Sequence, residues 1–353
     1  MTTTTRGSTA AWGFGSIMRN YGIAVFLVLM IIVFSALMPG TFASAGNFRQ
    51  ILADQAVPGI LALAVVLPLA AGEFDLSVGA NLGITTILGI TLASTGAPLI
   101  VVIAATILAG ALIGAINAFM VIVVGVNAFV ATLAMATILA GFNLLLTGST
   151  LIIHNSEAFS AMTNTRIGGI QLVIAYFAVI AVVLWFVLER TPFGRYLRAT
   201  GMGRDAATLS GVRTKRYLAS AFIGAGLLAG IAGTLQASRA SNATPDLGPE
   251  FLLPAYAAAF LGATAIRAGY FNVWGTVIGV YLLAVGANGL IILGAKTWVT
   301  HVFNGVALLI AVSAATLVTR RRKEAVAKTP PTPSGGDEPA APATADAQTR
   351  VTD

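Results

Sequence analysis

The sequence contains no cysteine and only two histidines, and 9% of its 353 residues are charged. The lack of cysteine excludes disulfide bonds, thiolate metal sites and cysteine nucleophiles. Two histidines, His154 and His301, are too few for a metal site made of imidazoles alone. A soluble protein usually has about 25% charged residues. With 57% hydrophobic residues and so little charge, the composition excludes a water-soluble fold.

Long hydrophobic runs fill most of the chain. A membrane-spanning helix needs about 20 mainly apolar residues, with about 17 as the lower limit. Ten runs approach this length, and three of them are short or interrupted. The ten runs are 22–38, 56–71, 77–94, 99–123, 128–147, 169–188, 217–236, 252–266, 271–294 and 298–318. The sequence therefore predicts an all-α, polytopic membrane protein with about ten transmembrane helices.

The lysines and arginines indicate orientation, because cytoplasmic loops of membrane proteins are enriched in them. With the N-terminus inside, sixteen of the 20 basic residues fall on the cytoplasmic side. We predict a cytoplasmic N-terminal segment over 1–20, a transmembrane domain over 21–318 and a cytoplasmic tail over 319–353, in the cytoplasmic (inner) membrane. Prolines, alanines and threonines dominate the tail, which predicts disorder. The basic residues thus have a membrane explanation, and we expect no nucleic-acid partner.

The connection 189–216 is long and carries seven basic residues. Pro192 prevents the preceding helix from continuing, and the glycines that follow favour turns. Asp205 is placed to cap a short helix over 206–210 that ends at Gly211. A helix of this length is unstable alone in water. It therefore needs a groove on a partner protein, or the basic loop lies on lipid headgroups.

Four groups of motifs occur in order along the chain. Residues 72–79 read G-E-F-D-L-S-V-G. Residues 191–195 read T-P-F-G-R, followed by A-T-G at 199–201 and A-A-T-L-S-G-V at 206–212. Residues 257–262 read A-A-A-F-L-G, and residues 288–290 read N-G-L. In these motifs the chain resembles the ribose-type permeases of ABC importers, over about residues 45–315.

The resemblance implies a permease subunit that moves a monosaccharide or related polyol, and it implies several partners. These are an ABC ATPase subunit, a periplasmic or extracellular sugar-binding protein, and a second permease subunit, identical or paralogous, within membrane lipid. ATP is then used by the ATPase, so we expect this chain to bind no cofactor and no metal and to be no enzyme. The coupling residues would be Gly194, Arg195, Gly201, Asp205, Ala206, Ala207 and Gly211.

Glu73 departs from the family pattern, which usually has glycine at this position. A larger residue puts in doubt whether the backbone approaches a neighbour closely at this turn. The family's paired glycines are also thinned near 262–269, which read G-A-T-A-I-R-A-G. Neither departure puts membership in doubt.

A few polar residues in or beside the apolar runs are candidates for the substrate pathway. Asp75 either caps the helix that follows, together with Ser77, or lies directly in the pathway. A neutral polyol needs amides and hydroxyls, and we select Asn81, Asn117 and Asn288 for this role. The alternative for each asparagine is a hydrogen bond between helices.

The main alternative to an ABC permease is a secondary transporter that uses an ion gradient. Such a transporter is expected to carry ionisable groups deep among its helices, and few are present here. Residues 289–297 read G-L-I-I-L-G-A-K-T, which resembles a phosphate-binding loop. However, Ala295 separates the glycine from the lysine, so we expect no ATP site in this chain.

Overall fold

The computed structural model describes residues 14–154, 156–266 and 269–327, with side-chain surroundings for those between 21 and 316. These residues form fourteen α-helices, one π-helical turn and four two-residue strands. The helices are α1 (Phe14–Leu37), α2 (Ala45–Asp54), α3 (Ala56–Ala70), α4 (Ser77–Ser94), α5 (Leu99–Phe119), α6 (Ala128–Thr147), α7 (Glu157–Asn164), α8 (Leu172–Arg190), α9 (Pro192–Met202), α10 (Arg204–Leu209), α11 (Thr214–Ala240), α12 (Pro249–Thr264), α13 (Val273–Ile292) and α14 (Thr297–Ala327). The π-helical turn is Met120–Val124, and the strands are β1 (Ile152–Ile153), β2 (Arg166–Ile167), β3 (Ile170–Gln171) and β4 (Asn242–Ala243).

Each of the ten predicted runs coincides with a helix, although the ends differ. These helices are α1, α3, α4, α5, α6, α8, α11, α12, α13 and α14. Seven of the described helices are long and apolar enough to cross a membrane, and α2 with α3, bent by 40°, makes an eighth if the pair is one span. The apolar part of α1 and the 16-residue α12 are shorter. The all-α polytopic architecture is confirmed, and the number ten is approximate.

The last helix, α14, extends beyond the predicted domain boundary at 318 and ends at Ala327. Residues 320–327 read R-R-R-K-E-A-V-A. Arginine, lysine, glutamate and alanine all favour helices, so the basic residues continue the helix. The rest of the predicted disordered tail, and most of the predicted segment 1–20, lie outside the described residues.

The central helix of the bundle is α3. All of its residues except Pro58 are buried, and it carries no polar side chain. A helix that is apolar on every side is stable when apolar material surrounds it. Here α8, α11, α12 and α13 all pack against it, and the ring of Phe177 in α8 lies directly over Gly59.

Two G-x-x-x-G sequences pack against each other where α5 meets α11. Gly110 and Gly114 of α5 face Gly226 and Gly230 of α11, and a Cβ added at Gly110 would lie 2.5 Å from the Gly226 carbonyl oxygen. In lipid, apolar side chains gain little by leaving apolar tails, so small residues that allow close backbone approach drive helix packing. This interface therefore depends on the absence of side chains.

The connection between α11 and α12 enters the bundle. β4 pairs with β1 in an antiparallel arrangement, and the chain then runs alongside α4. A Cβ added at Gly79 would lie 2.8 Å from the Gly248 carbonyl oxygen, and the Leu247 carbonyl lies against Gly83. Since Gly79 lies in the first turn of α4 and Gly83 in the second, the connection enters a membrane span, and α12 begins beside the first turn of α4.

We predict that Gly226→Ala destabilises the protein by about 1–3 kcal/mol, because its Cβ would collide with the backbone of α5. The matched control is Gly141→Ala in α6, where a Cβ would meet nothing within 4 Å and alanine favours the helix. Thermal unfolding in detergent measures both variants. Equal effects of the two substitutions would show that the α5–α11 interface tolerates a side chain.

Candidate functional site

The predicted connection 189–216 contains two helices, whereas the sequence predicted one. Thr191 is extended and Pro192 is the first residue of α9, a position that proline favours because its missing N–H is not needed there. Gly194 and Gly201 lie within α9, so their prediction as turn residues is wrong. Each lies where a side chain would strike backbone: Gly194 against the Leu188 carbonyl and Gly201 against the turn after α3.

The short helix α10 is present but begins one residue earlier than predicted. It starts at Arg204 after Gly203 and has no side-chain cap, so the predicted capping role of Asp205 is wrong. Arg204 is the first residue of the helix, and its side chain forms an ion pair that is described below. Gly211 ends the helix as predicted: it has φ +82°, and the Val212 N–H donates to the Ala207 carbonyl at 3.0 Å.

One side of α10 packs against the protein, and the other side is exposed. Ala207 is buried, whereas Asp205 and Ala206 are exposed. Leu209 is 90% exposed, although it is a large apolar residue. Arg195 in α9 is also exposed. Of the predicted coupling residues, Gly194 and Ala207 therefore pack inward, and Arg195, Asp205, Ala206 and Gly211 are on the surface.

Two contacts join this segment to the turn between α3 and α4. Gly72 has φ +82°, and a Cβ added there would lie 3.1 Å from the Gly201 Cα and carbonyl oxygen. Close backbone approach at this turn is therefore present despite Glu73. The Glu73 carboxylate instead accepts a hydrogen bond from the Arg204 guanidinium at 2.6 Å. No pattern in the sequence indicated a role for Arg204 other than the departure from the family motif at Glu73, its partner.

Asp75 follows in the same turn and is 1% exposed. Its Oδ1 accepts hydrogen bonds from the Ser77 N–H at 3.0 Å and from the Ser77 hydroxyl at 2.6 Å. The Asp75 N–H donates to the Tyr256 hydroxyl at 3.0 Å, and that hydroxyl donates back to the Asp75 carbonyl at 2.9 Å. Asp75 thus closes a local turn with Ser77, the first residue of α4. The helix itself begins after Leu76 with no side-chain cap, so the predicted capping role of Asp75 or Ser77 is wrong. The two hydrogen bonds with Tyr256 attach the turn to α12.

Burial raises the pKa of the Asp75 carboxyl from its ordinary value to about 6, and the two hydrogen bonds from Ser77 oppose this increase. A buried carboxylate loses the solvation that favours its charged form. The carboxyl of this turn therefore changes its charge near pH 6.

The predicted pathway residues are only partly brought together. Asn117 Nδ2 donates to the Ser77 hydroxyl at 2.7 Å, which extends the Asp75 network into α5. Asn81 lies one turn further along α4, and its Nδ2 donates to the Gly110 carbonyl at 3.1 Å. Both Asn81 and Asn117 have a buried Oδ1 with no hydrogen-bond partner among the described residues.

Asn288 lies elsewhere. It is in α13, which packs against α1, α3 and α12, and its neighbour Gly289 lies against the Phe34 ring of α1. The Asn288 Oδ1 is also buried without a partner in the described part of the chain. The same part contains no group of three or more histidine, aspartate or glutamate residues that could hold a metal ion.

Comparisons with known proteins show the family of this chain. Residues 47–312 match the family described as "Branched-chain amino acid transport system / permease component". The chain belongs to this permease family. It is 32% identical to the ribose import permease protein RbsC of Escherichia coli K12, covering 86% of this chain and 94% of the relative. It is 31% identical to RbsC of Bacillus subtilis, covering 85% and 93% respectively.

Other similar proteins carry different names. The D-allose transport system permease protein AlsC of Escherichia coli K12 is 28% identical, covering 85% of this chain and 93% of the relative. Among solved structures, an inward-facing ABC transporter of metal-chelate type aligns with 87% of this chain and 98% of that chain, at 14% identity and a TM-score of 0.43. That likeness is too loose to bear on the fold or the function.

Membership identifies the chain as the multi-pass permease component of an ABC importer and not as an enzyme. A permease of this kind works with a separate ATPase subunit and a binding protein. The prediction of an ABC permease is therefore confirmed over the ion-gradient alternative.

For the permease, we predict a pH-dependent stability difference between the wild type and Asp75→Asn. Because the folded pKa of Asp75 is raised to about 6, the folded state binds more protons than the unfolded state between about pH 4 and pH 6. The unfolding free energy of the wild type should fall, relative to Asp75→Asn, as the pH rises through this range. Thermal unfolding at pH 4.5, 5.5 and 7.5 measures the difference, and parallel curves would contradict the prediction.

A second prediction concerns the pair between Glu73 and Arg204. Its side chains are partly exposed, so the pair should contribute less than about 1 kcal/mol to stability. It should nevertheless position α10. We expect Arg204→Glu to reduce ATP-driven uptake several-fold, because two carboxylates then face each other, and we expect Glu73→Arg added to it to restore uptake. No recovery in the double variant would show that the pair does not position the helix.

Proposed function

We propose that this permease imports a monosaccharide or a related polyol. The named transport functions of its relatives support this class, since they include permeases for ribose and D-allose and a "Galactose/methyl galactoside import permease protein" from Haemophilus influenzae, 30% identical. The substrate would be delivered by a sugar-binding protein outside the membrane. Buried amides and hydroxyls of α4 and α5, including Asn81, Asn117 and the Asp75 network, would line the path, with Asn288 as a separate candidate.

The proposal that α10 binds the ATPase subunit rests on the exposure of Leu209. A six-residue helix gains too little from its own hydrogen bonds to be stable in water, and α10 has a large apolar side chain that is 90% exposed. An apolar side chain on a short helix fits insertion into a groove of another protein.

Contacts from α10 to the membrane helices support a mechanism of alternating access. Motion of the ATPase subunits would move α10, and the contacts at Gly201 and Glu73 would pass that motion to the turn between α3 and α4. Tyr256 would carry it further to α12 through its two hydrogen bonds with Asp75. The coupling set would comprise Gly194, Arg195, Gly201, Asp205, Ala206, Ala207 and Gly211, with Leu209 and Arg204 added.

The proposed assembly contains two permease subunits, identical or paralogous, in the lipid of the cytoplasmic membrane. Both termini would be cytoplasmic, with 1–20 and 319–353 outside the membrane domain 21–318. The ATP would be bound and hydrolysed by the ATPase, so this chain would need no cofactor and no metal of its own.

We predict that Leu209→Asp abolishes ATP-driven uptake and co-purification with the ATPase, because the groove loses its apolar occupant. The matched control is Ser210→Asp, which adds the same charge at the next exposed position without removing an apolar group. This pair of variants tests docking more directly than Ala207→Asp does. Ala207 is buried, so its substitution would also disturb packing within the permease. Deletion of 205–211 should abolish uptake as well.

Uptake in reconstituted liposomes, with the binding protein and ATPase present, measures the effect of each change. Membrane insertion of each variant, followed by fluorescence-detected gel filtration, controls for folding. If Leu209→Asp transports like the wild type, α10 does not dock on the ATPase. If the permease alone moves solute without nucleotide, the ABC mechanism is wrong. Thermal-shift screening of the cognate binding protein against a sugar panel would identify the substrate.

A further inference from the structure

A cavity of about 280 Å³ lies between α4, α6 and the segment that leads into α12. Its size is near the lower end of the range of small-molecule sites, about 300–1,000 Å³. Most of its wall is apolar, and two polar side chains, Asn143 and Asp246, face it. The apolar wall includes Ala80, Leu133, Ala140 and Leu252.

The segment 241–248 forms one side of this cavity, and its position is unusual. Its carbonyls at Leu247 and Gly248 lie against Gly83 and Gly79, inside the first half of a membrane span. At membrane depth, non-helical backbone is tolerated only where protein surrounds it or where it lines a water-filled space. In transporters, helices that begin within the membrane often mark substrate sites, and α12 begins here.

Asn143 supplies an independent observation at the same place. Its side chain is 2% exposed, and its Oδ1 has no hydrogen-bond partner among the described residues. A buried acceptor without a partner costs about 1–3 kcal/mol. Asp246 is exposed at the cavity and has no ion pair within the described part of the chain. Two residues that carry oxygen acceptors thus line one small, largely apolar space.

We propose that this cavity binds the transported molecule, a neutral polyol, during its passage, with Asn143 and Asp246 accepting hydrogen bonds from its hydroxyls. Sugar rings combine hydroxyl donors with apolar C–H faces, which match two acceptors set in an apolar wall. The partial positive charge at the N-terminus of α12 disfavours binding of a cation in the cavity. The Asp246 carboxylate disfavours binding of an anion, so a neutral ligand fits best. The inference rests on the proposed function, which it extends to a specific place.

The absence of cysteine from the chain allows a direct test by single-cysteine labelling. Ala140 is exposed and lines the cavity, whereas the next residue, Gly141, is exposed at the same depth and does not line it. Ala140→Cys and Gly141→Cys are made separately in the complete importer and treated with a membrane-impermeant thiol reagent. The probe is whichever of D-ribose, D-allose and D-galactose the wild-type importer takes up.

We expect that sugar to slow labelling of Ala140→Cys about tenfold and to leave Gly141→Cys unchanged. Adding Asn143→Leu to Ala140→Cys should raise the sugar concentration needed for half protection about tenfold, because one hydrogen bond is lost. In uptake assays, Asn143→Leu and Asp246→Asn should each raise KM more than they lower kcat.

The outcomes separate this inference from the proposed function. If the wild type takes up a sugar but that sugar protects neither cysteine, or protects both equally, the cavity is not on the pathway and the proposed function stands. A failure of the reagent to label Ala140→Cys would also overturn the inference, because the cavity would then be closed to water. If the wild-type importer takes up no monosaccharide or polyol in a panel that extends beyond these three sugars, the proposed function itself is overturned.

Discussion

Close approach of backbones holds this protein together. Inside a bilayer, an apolar side chain is surrounded by apolar atoms whether or not it touches another helix, so burying it contributes little. The bundle relies on glycines that let chains meet without side chains between them. This is seen where α5 meets α11, where α4 meets the segment 241–248, and where the turn at Gly72 meets Gly201. The first two contacts form the bundle, and the third joins it to α9.

The contact at Gly72 gives the molecule a continuous path from its surface to its interior. The turn between α3 and α4 lies against α9 through Gly201, is joined to α10 through Arg204, and is joined to α12 through Tyr256. The turn is therefore in direct contact with three helices on both sides of it. The departure from the family pattern at Glu73 does not prevent the close approach. The Glu73 side chain binds Arg204, and the neighbouring Gly72 makes the backbone contact with Gly201.

Local patterns in the sequence predicted the helices well. The ten apolar runs, the short helix near 206–210 and its end at Gly211 all follow from composition and turn chemistry, which act over a few residues. The helix α9 was missed because Gly194 and Gly201 favour turns locally, and only distant carbonyl groups explain why they lie in a helix. The ion pair of Arg204 likewise joins it to Glu73, 131 residues earlier, a relation that local patterns do not contain.

The candidate site was predicted only in part, for the same reason. A single sequence contains no information on how one helix is rotated or shifted against another, so Asn81, Asn117 and Asn288 were equivalent until the structure separated the last from the others. Residues 241–248 read S-N-A-T-P-D-L-G, which is typical of a surface loop. Their position beside α4 depends on Gly79 and Gly83, and the relation between two distant segments is not visible in either one.

The enclosed position of α3 has a consequence for biogenesis. Three of the helices that pack against it, α11, α12 and α13, are synthesised more than a hundred residues later. If α3 enters the membrane as it is synthesised, lipid surrounds it until these helices are inserted and pack against it. Because α3 is apolar on every side, contact with lipid costs it little free energy. A polar helix in the same central place would expose polar side chains to hydrocarbon until the chain was complete.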